Sequence, residues 1–430
     1  MEKSLFEKEK RTVKGENMNL LLLTKFYPFG TGEAFIENEI KVAAEYYDQI
    51  VVIACEVPES ENIIRKLPIN VKAYKVTSQS KKTDVMRGIL KITPQTLSYK
   101  KEKELCDTLL KKCFLDYFEE KCQRINKSIM ELGCMDEVAQ EPYVLYSYWF
   151  FMTARVGTLI AENYKPVKMI TRAHRYDLYE NENKTGYLPY RKLFLEKYDY
   201  VFPCSDNGTT HLKSLYPRYS QNVETSFLGT LDHGIGKASN DGVFRIVSCS
   251  RVEPVKRIEK IIDALAELDK KNVNIEWTHV GDGSGYERIK KYAAEKLHNI
   301  KVVFRGNMKN EDIMKLYSTH PFDLFVNVSS SEGLPVSIME ALSFGMPCIA
   351  TDVGGTSEIV IDGVTGILIS SEFETKTLSS YILKFIEHGK EIIDRNSCRK
   401  FWKNHFQAIP NYHKLYKKLM IDMDKGNSEE

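Results

Sequence analysis

Residues 326–347 of this 430-residue chain read VNVSSSEGLPVSIMEALSFGMP. The first letters are typical of a buried strand, which ends in small polar residues before a turn at Glu332 and Gly333. Pro335 is predicted at the first helical position, where its missing N–H is not needed, and the free amides of such a helix start can bind phosphate. Glu332 lies in the loop and Glu340 in the helix, so the two carboxylates can bind different diols of one long ligand.

The same order of strand, turn and helix recurs through both halves of the chain, as in βαβ units of a parallel sheet. A Gly-rich polar stretch, residues 229–242, separates the halves and is typical of a linker. We therefore predict an α/β fold of two Rossmann-like domains whose strand carboxyl ends face a shared interdomain cleft. The predicted strands are residues 20–24, 50–55, 143–147, 167–172 and 200–203, then 244–249, 275–280, 302–305, 324–328 and 348–351.

Composition excludes several classes of protein. The chain has 43% hydrophobic and 28% charged residues, as globular proteins do, and its net charge of +2 gives no bulk attraction to nucleic acid. The nine cysteines form no C-x-x-C pair, which indicates reduced cytosolic thiols. We find no apolar run of about 20 residues and no secretory signal, so a soluble cytoplasmic protein is expected.

Residues 72–127 interrupt the strand and helix rhythm and carry 14 Lys and Arg against 7 Asp and Glu. A basic amphipathic helix of this kind can rest on an anionic membrane surface. The alternative is a solvated helical insertion that packs one face on the first domain, which the scattered acidic residues favour. The apolar residues at helical spacing are Leu105, Leu109, Leu110, Cys113, Phe114 and Tyr117.

A second motif points to a phosphate ligand. Arg251 and Lys256 lie five residues apart in the loop that follows the strand at 244–249, directly after Ser250. Two such cations can hold the phosphates of an anionic ligand and stabilise negative charge that develops on them, although an Arg and a Lys in a loop are by themselves more often solvated surface.

Glycines follow the next predicted strand. Gly281 and Gly283 permit a close backbone approach, which is weak evidence by itself. A dinucleotide site needs an acidic residue about 20 positions further on, whereas Lys301 and Arg305 lie there, so an oxidoreductase is not predicted.

The pattern S-x-E-G-L-P-x-S-x-x-E-A-L-x-x-G-x-P at residues 330–347, followed by ATDVGG at 350–355, resembles the donor-binding signature of retaining GT-B glycosyltransferases of family 4, glycosyl transferases group 1. The resemblance implies that Glu340 binds the ribose and Glu332 the donor-sugar hydroxyls. Arg251 and Lys256 then correspond to the diphosphate clamp, although the family often has Gly where this chain has Arg257. The donor-binding residues it implies are Glu340, Gly333, Leu334, Pro335, Gly281, Gly283, Gly32 and Ser250.

The first half carries further residues that the resemblance singles out. His174 follows a predicted strand and resembles the family's histidine that contacts the transferred sugar, so it joins Glu332, Arg251 and Lys256 as a catalytic candidate. The surrounding RAHRYDLY is similar to members that build capsular polysaccharides and exopolysaccharides. Candidates for the acceptor side are Asp177, Ser205, which can also be read as a helix N-cap, and Glu33 beside Gly32.

The resemblance implies these domains: an extension at 1–17, expected to be disordered, an acceptor-side domain at 18–235 with a basic insertion at 72–140, a nucleotide-sugar domain at 243–395, and a helical segment at 396–425 that crosses back to the first domain. It implies a retaining hexosyl transfer from a UDP- or GDP-linked sugar to a glycan or lipid-linked acceptor in bacterial surface polysaccharide synthesis.

Neither metal nor cofactor is expected, because the two cations can replace a divalent ion; Asp422-Met-Asp424 is interpreted as solvated. The protein is expected in the cytoplasm, with contact at the inner face of the plasma membrane left open. Two alternatives remain: a nucleotide-sugar epimerase on the same fold, and a non-catalytic nucleotide-sugar-binding partner.

Overall fold

The computed structural model describes residues 17–30, 32–90, 96–271 and 273–426. The extension at 1–17 lies outside these residues except for Asn17. The described residues form two compact units. The first comprises the chain up to Cys204, residues Gly208–Ser226 and the chain from Tyr412 on, and the second comprises Ser205–Asn207 and Phe227–Asn411.

The first unit is built on a parallel six-stranded sheet of order β3-β2-β1-β4-β5-β6. Its central strand β1 is buried along its whole length, and each buried leucine contributes about 1.5–3 kcal/mol. Such a strand needs cover on both faces, which is why its sequence does not alternate. The strands are β1 (Asn19–Thr24), β2 (Gln49–Val57), β3 (Val71–Thr77), β4 (Tyr143–Ser147), β5 (Lys168–Ala173) and β6 (Tyr200–Pro203).

Nine helices accompany these strands along the described chain. Residues 115–129 of the longest one bury an apolar face against the unit. The helices are α1 (Ile36–Ala43), α2 (Lys81–Leu90), α3 (Leu97–Glu104), α4 (Leu109–Glu131), α5 (Cys134–Val138), α6 (Met152–Ile160), α7 (Arg175–Leu178), α8 (Arg191–Lys197) and α9 (Asp206–Leu215).

The basic segment differs from the prediction in two ways. Residues 72–77 belong to the edge strand β3, in which Lys72 and Lys75 mask the pattern of a buried strand. The predicted helical run from Leu105 to Tyr117 is also interrupted, because Leu105 ends α3 and the Thr108 side chain caps a new helix by accepting a hydrogen bond from the Lys111 N–H at 3.2 Å. The insertion thus packs one face of α4 on the first unit.

The second unit has its own parallel six-stranded sheet, of order β12-β11-β10-β7-β8-β9. Its strands are β7 (Phe244–Cys249), β8 (Ile275–Val280), β9 (Lys301–Phe304), β10 (Leu324–Asn327), β11 (Cys348–Thr351) and β12 (Gly366–Ile369). Its helices are α10 (Ile258–Asp269), α11 (Tyr286–Lys296), α12 (Asn310–Thr319), α13 (Val336–Ser343), α14 (Thr375–Ile392, kinked at His388) and α15 (Arg395–His405).

The ten predicted strands all form, within two residues at either end, and the α/β prediction with two parallel sheets is confirmed. Strands β3 and β12 are the two that the sequence analysis missed. The segment 229–242 also differs from a free linker. Its backbone binds the second unit through Thr230 N–H to Phe406 O at 3.0 Å and Gly236 N–H to Phe344 O at 2.9 Å.

The last helix, α16 (Ala408–Gly426), belongs to the first unit from Tyr412 on. The Tyr200 hydroxyl donates to Asp422 at 2.7 Å, so this carboxylate is bound to the first unit and is not simply solvated, as the sequence analysis had it. Among the described residues, every helix is too short or too polar to cross a membrane.

Candidate active site

A cleft of about 830 Å³ lies in the second unit, where strands β7 and β8 end. Open α/β sheets bind ligands outside the carboxyl ends of their strands. Eight of the predicted residues line this cleft: Ser250, Arg251, Lys256, Gly281, Gly283, Glu332, Leu334 and Pro335. Residues far apart in the chain thus meet at one place, as the motifs predicted.

Lys256 and Glu332 contact each other in this cleft. The Lys256 ammonium donates to Glu332 Oε1 at 2.6 Å, and the Asn327 side-chain amide donates to the same oxygen at 3.2 Å. The two charged side chains are only 18% and 11% exposed, so solvent screens the ion pair weakly. Asn327 was not predicted, although it ends the strand β10 that leads into the motif.

The Arg251 guanidinium differs from Lys256 in being exposed. Within the described residues it makes no hydrogen bond or ion pair, so all five of its donors are available to an anion in the cleft. Beside it, Glu253 accepts from the Ser284 hydroxyl at 2.9 Å, which ties the loop after β7 to the loop after β8.

The glycines in the loop after β8 serve the protein's own backbone. Gly281 has φ +134°, and a Cβ there would overlap the carbonyl oxygen of Ser250. At Gly283 a Cβ would lie 2.6 Å from the carbonyl oxygen of Val252. The close backbone approach that the sequence predicted therefore brings the two loops of the cleft together.

Gly354, which was not among the predicted site residues, permits a close backbone approach at the turn of Glu332 and Gly333. It has φ +56°, and a Cβ would overlap the Glu332 carbonyl oxygen. The next residue, Gly355, donates its N–H to the Gly333 carbonyl at 2.7 Å, which holds the Glu332-Gly333 turn in place. The signal for both was present in the glycine pair of ATDVGG.

Glu340 lies inside α13, buried and 8% exposed. Its Oε1 accepts a hydrogen bond from the Asn310 amide at 2.6 Å. Burial raises the pKa of this carboxyl to about 7, and the Asn310 hydrogen bond opposes the rise. Glu332 and Glu340 thus occupy different surroundings, one beside a cation and one in a low-dielectric interior.

The helix α13 begins at Val336, with Pro335 as its N-cap, one residue later than the sequence predicted. Val336 and Ser337 line the cleft. As first-turn residues their amides have no acceptor within the helix, so the helix start remains suited to an anion.

Arg257 adopts the left-handed conformation, with φ +51° and ψ +41°. This conformation costs a residue with a Cβ about 1–2 kcal/mol, whereas glycine takes it freely. The guanidinium donates to three backbone carbonyls, Val328 at 2.7 Å, Ser371 at 2.8 Å and Ser329 at 3.0 Å. Charge-assisted hydrogen bonds of this kind offset the cost of the backbone.

His174 lies directly after β5 in the first unit, with its ring centroid 4.6 Å from that of Trp149 and 5.5 Å from that of Tyr148. Burial, together with the nearby Arg172 charge, lowers the pKa of His174 to about 3. Its Nε2 is buried and has no partner among the described residues. A neutral imidazole with one unused nitrogen is thus held in place.

Asp177 is fully buried beneath this histidine. Its carboxylate accepts the backbone N–H of His174 at 2.5 Å and of Phe150 at 2.7 Å. The structure therefore places Asp177 where it holds His174, and not on an acceptor surface.

Glu33 is likewise directed inward. It has φ +56°, and its carboxylate accepts the N–H groups of Phe26 at 2.5 Å and Tyr27 at 2.6 Å, as well as the Trp149 indole N–H. Trp149, which the sequence analysis missed, thus contacts both Glu33 and His174. Beside Glu33, a Cβ at Gly32 would lie 3.0 Å from the Phe26 ring.

Ser205, the remaining acceptor-side candidate, follows β6 and is 3% exposed. Little of its surface is therefore open to an acceptor in this structure.

The part of the chain that forms the second-unit cleft is similar to known proteins. A family model described as glycosyl transferases group 1 matches residues 236–406. The GtfA subunit of the UDP-N-acetylglucosamine–peptide N-acetylglucosaminyltransferase of Streptococcus pneumoniae is 20% identical over 270 residues, 60% of this chain and 50% of that protein. The O-antigen biosynthesis glycosyltransferase WbnH of Escherichia coli is 30% identical over 178 residues, 41% of this chain and 47% of WbnH. These matches span about half the length of each relative.

The fold has solved counterparts. The structure of Anabaena HepE in complex with UDP and glucose aligns with a TM-score of 0.64 and 16% identity, over 93% of this chain and 98% of HepE. Together, the two parallel sheets and this alignment show that the chain has a GT-B fold, and its residues 236–406, which contain the cleft, match the glycosyl transferases group 1 family.

Proposed function

We propose that the protein is a retaining glycosyltransferase that moves a hexose from a UDP- or GDP-linked sugar to a glycan or lipid-linked acceptor in bacterial surface polysaccharide synthesis. The observation that carries the proposal is the cleft in which Arg251, Lys256, Glu332 and the start of α13 meet. The name of WbnH supports the biosynthetic context, and the UDP bound to HepE makes UDP the first nucleotide to test.

The second unit carries side chains and amides that suit each part of a nucleotide sugar. The Arg251 and Lys256 cations and the amides of the α13 start suit the diphosphate. Glu332 in the cleft suits the sugar hydroxyls. Glu340, which is not among the residues that line the cleft and is held by Asn310, is proposed to bind the ribose diol. The Arg251 and Lys256 cations can carry the charge of the leaving diphosphate, so the reaction is proposed to need no divalent metal. EDTA should leave the rate of nucleotide release unchanged.

The proposed reaction takes place on one face of the sugar. The bond between the anomeric carbon and the β-phosphate oxygen breaks, the acceptor oxygen bonds to the same face, and the acceptor proton goes to the departing phosphate. Glu332 is engaged by Lys256 and Asn327, which supports a role in orienting the sugar over one as a covalent nucleophile. The anomeric configuration of the product, read from its proton NMR coupling, tests retention.

Incubation of the purified protein with a panel of UDP- and GDP-linked hexoses separates three activities. Slow release of free nucleotide supports transfer, because water replaces the missing acceptor. Isomerised donor would indicate an epimerase, and tight binding without any change would indicate a non-catalytic binding partner. Lys270→Ala, which changes an exposed residue directly after α10, is the control variant.

His174 is proposed to contact the transferred sugar. The substitution His174→Ala should lower the rate of sugar release and leave UDP affinity unchanged, because the proposed UDP contacts all lie in the second unit. Equal loss of UDP affinity in His174→Ala and in Lys256→Ala would contradict this role.

We also propose peripheral contact with anionic membranes at the cytoplasmic face. Helices α2 to α4 expose apolar side chains next to Lys100, Lys101 and Lys112, a combination that suits an anionic lipid surface. The exposed apolar residues are Val85, Met86, Leu90, Leu97, Leu105, Leu109 and Leu110.

Co-sedimentation with vesicles tests the membrane proposal. The protein should bind vesicles that contain phosphatidylglycerol and not vesicles of phosphatidylcholine alone, and Leu109→Glu should reduce the binding. Ile69→Glu changes an even more exposed apolar residue outside this surface and should have no effect. Equal binding to both kinds of vesicle would contradict an electrostatic contact.

A further inference from the structure

Arg257 contacts the chain close to two residues of the cleft, Lys256 and Glu332. It directly follows Lys256, and its guanidinium reaches the carbonyls of Val328 and Ser329, which directly follow β10. The chain reaches Glu332 three residues later. One side chain thus connects the loop that carries the cation with the loop that carries the carboxylate.

The connection extends across the sheet. The Ser329 carbonyl that accepts from Arg257 also accepts from the Thr351 hydroxyl at the end of β11, and the third Arg257 bond goes to Ser371, just beyond β12. The guanidinium also lies 5.5 Å from the centroid of the Phe373 ring. Arg257 therefore joins the ends of β10, β11 and β12 to the loop that follows β7.

Its carbonyl partners need these donors. Val328 and Ser329 are both 1% exposed, so water is poorly placed to replace the hydrogen bonds that Arg257 donates to them. Without Arg257, the Ser329 carbonyl would keep the Thr351 hydroxyl as a donor. Asn327 holds the same turn from the other side, since its Oδ1 accepts the Ser329 N–H at 3.1 Å while its amide donates to Glu332. A shift of Ser329 would thus move the partner of Glu332 as well.

We propose that Arg257 is a positioning residue that sets the Lys256–Glu332 pair in the geometry that receives a nucleotide diphosphate sugar. The inference rests on the proposed function, because Lys256 and Glu332, which Arg257 would hold in place, are proposed to bind the donor. Glycine could adopt the same backbone conformation, so the side chain is what this chain adds at the position. Lysine would keep the charge and lose the planar fork of donors that reaches three carbonyls.

The experiment compares Arg257→Gly, Arg257→Lys and the control Lys270→Ala with the wild-type protein in UDP calorimetry and in donor hydrolysis. We expect UDP affinity to fall about ten- to a hundredfold in both Arg257 variants, because a charge-assisted contact to the diphosphate that is no longer in place changes affinity by a factor of that size. Lys270→Ala should match the wild type. Thermal melting shows whether each variant is folded at the assay temperature. If Arg257→Gly is unfolded, the comparison uses Arg257→Lys.

Chemical rescue separates positioning from general damage. Millimolar guanidinium chloride should restore part of the UDP affinity of Arg257→Gly and none of that of Lys256→Ala. Folded Arg257 variants with UDP affinity within about twofold of the wild type would overturn the proposal and leave the proposed function standing. Lost affinity that guanidinium does not restore would overturn it too. A wild-type protein that binds no nucleoside diphosphate would refute the proposed function itself.

Discussion

The Lys256 ammonium and the Glu332 carboxylate are each other's partners, although 76 positions separate them in the chain. Each was predicted from its own motif, one as a phosphate ligand and one as a sugar ligand. The sequence could not show that they touch, because the contact depends on how the ends of β7 and β10 lie side by side in the sheet. Because Lys256 is proposed to bind the diphosphate and Glu332 the sugar, substitutions of the two residues should affect UDP affinity and turnover differently.

Glu332→Gln should retain or increase the affinity for UDP, because the Lys256 ammonium is then no longer held by a carboxylate. Turnover of the UDP-sugar should fall about a hundredfold with the loss of one orienting group. Lys256→Ala should lower both, with about 3 kcal/mol added to the barrier. Calorimetry with UDP and an assay of nucleotide release measure the two effects, and weaker UDP binding in Glu332→Gln would contradict the prediction.

Glu340 provides a pH test. Its pKa of about 7 lies above the usual 4.5, so the folded protein favours the protonated carboxyl, and this contribution to stability is lost as the pH rises through 7. Ribose hydroxyls donate to the ionised carboxylate, so UDP affinity should rise between about pH 6 and 8. Calorimetry across this range should show a shallower rise for Glu340→Gln, in which the terminal phosphate of UDP, with a second pKa of about 6, still titrates. An unchanged slope in that variant would assign the titration to another group.

At the scale of elements, the cleft depends on two loops that approach each other at glycine. The loop after β7 carries Arg251 and Lys256, and Gly281 after β8 lies against its backbone. The Gly281 N–H also donates to the Gly306 carbonyl at 2.9 Å, which extends the contact to the loop after β9. Three loops are therefore locked together at a residue without a side chain.

Gly281→Ala should lower the free energy of unfolding of the second unit by more than the cost of placing alanine at a positive φ. The additional loss is expected because the new Cβ would overlap the Ser250 carbonyl. Gly363→Ala is the matched control, since Gly363 also has positive φ, at +73°, but nothing lies within 4 Å of its would-be Cβ. The control should lose about 1 kcal/mol of the free energy of unfolding. Urea unfolding measures both, and equal losses would show that the loop contact carries no stability.

At the scale of the whole molecule, the end of the chain completes the first unit. Glu39 of α1 is buried, and its carboxylate accepts from Arg172 at 3.1 Å, from Tyr146 at 2.9 Å and from Tyr416 of α16 at 3.3 Å. Arg172 lies two residues before His174 and helps to keep that imidazole neutral. The C-terminal helix is thus hydrogen-bonded to the same network that surrounds the strand bearing His174.

Glu39→Ala should cost about 3–5 kcal/mol of the free energy of unfolding, because it leaves the fully buried Arg172 charge without its carboxylate. Tyr416→Phe removes one long hydrogen bond and keeps the ring, so it should cost about 1 kcal/mol. Chemical unfolding followed by tryptophan fluorescence compares them. A similar small loss in both variants would show that Arg172 finds another partner.

The sequence by itself determined the α/β class, ten of the twelve described strands and eight of the residues that line the second-unit cleft. These features are local, since a strand, its turn and the helix that follows are encoded within some 20 consecutive residues. Tertiary structure decided the pairing of Lys256 with Glu332, the bonds of Arg257, and the inward direction of Asp177 and Glu33. Such contacts join residues from different strand ends, and burial decides which of them a polar side chain must make.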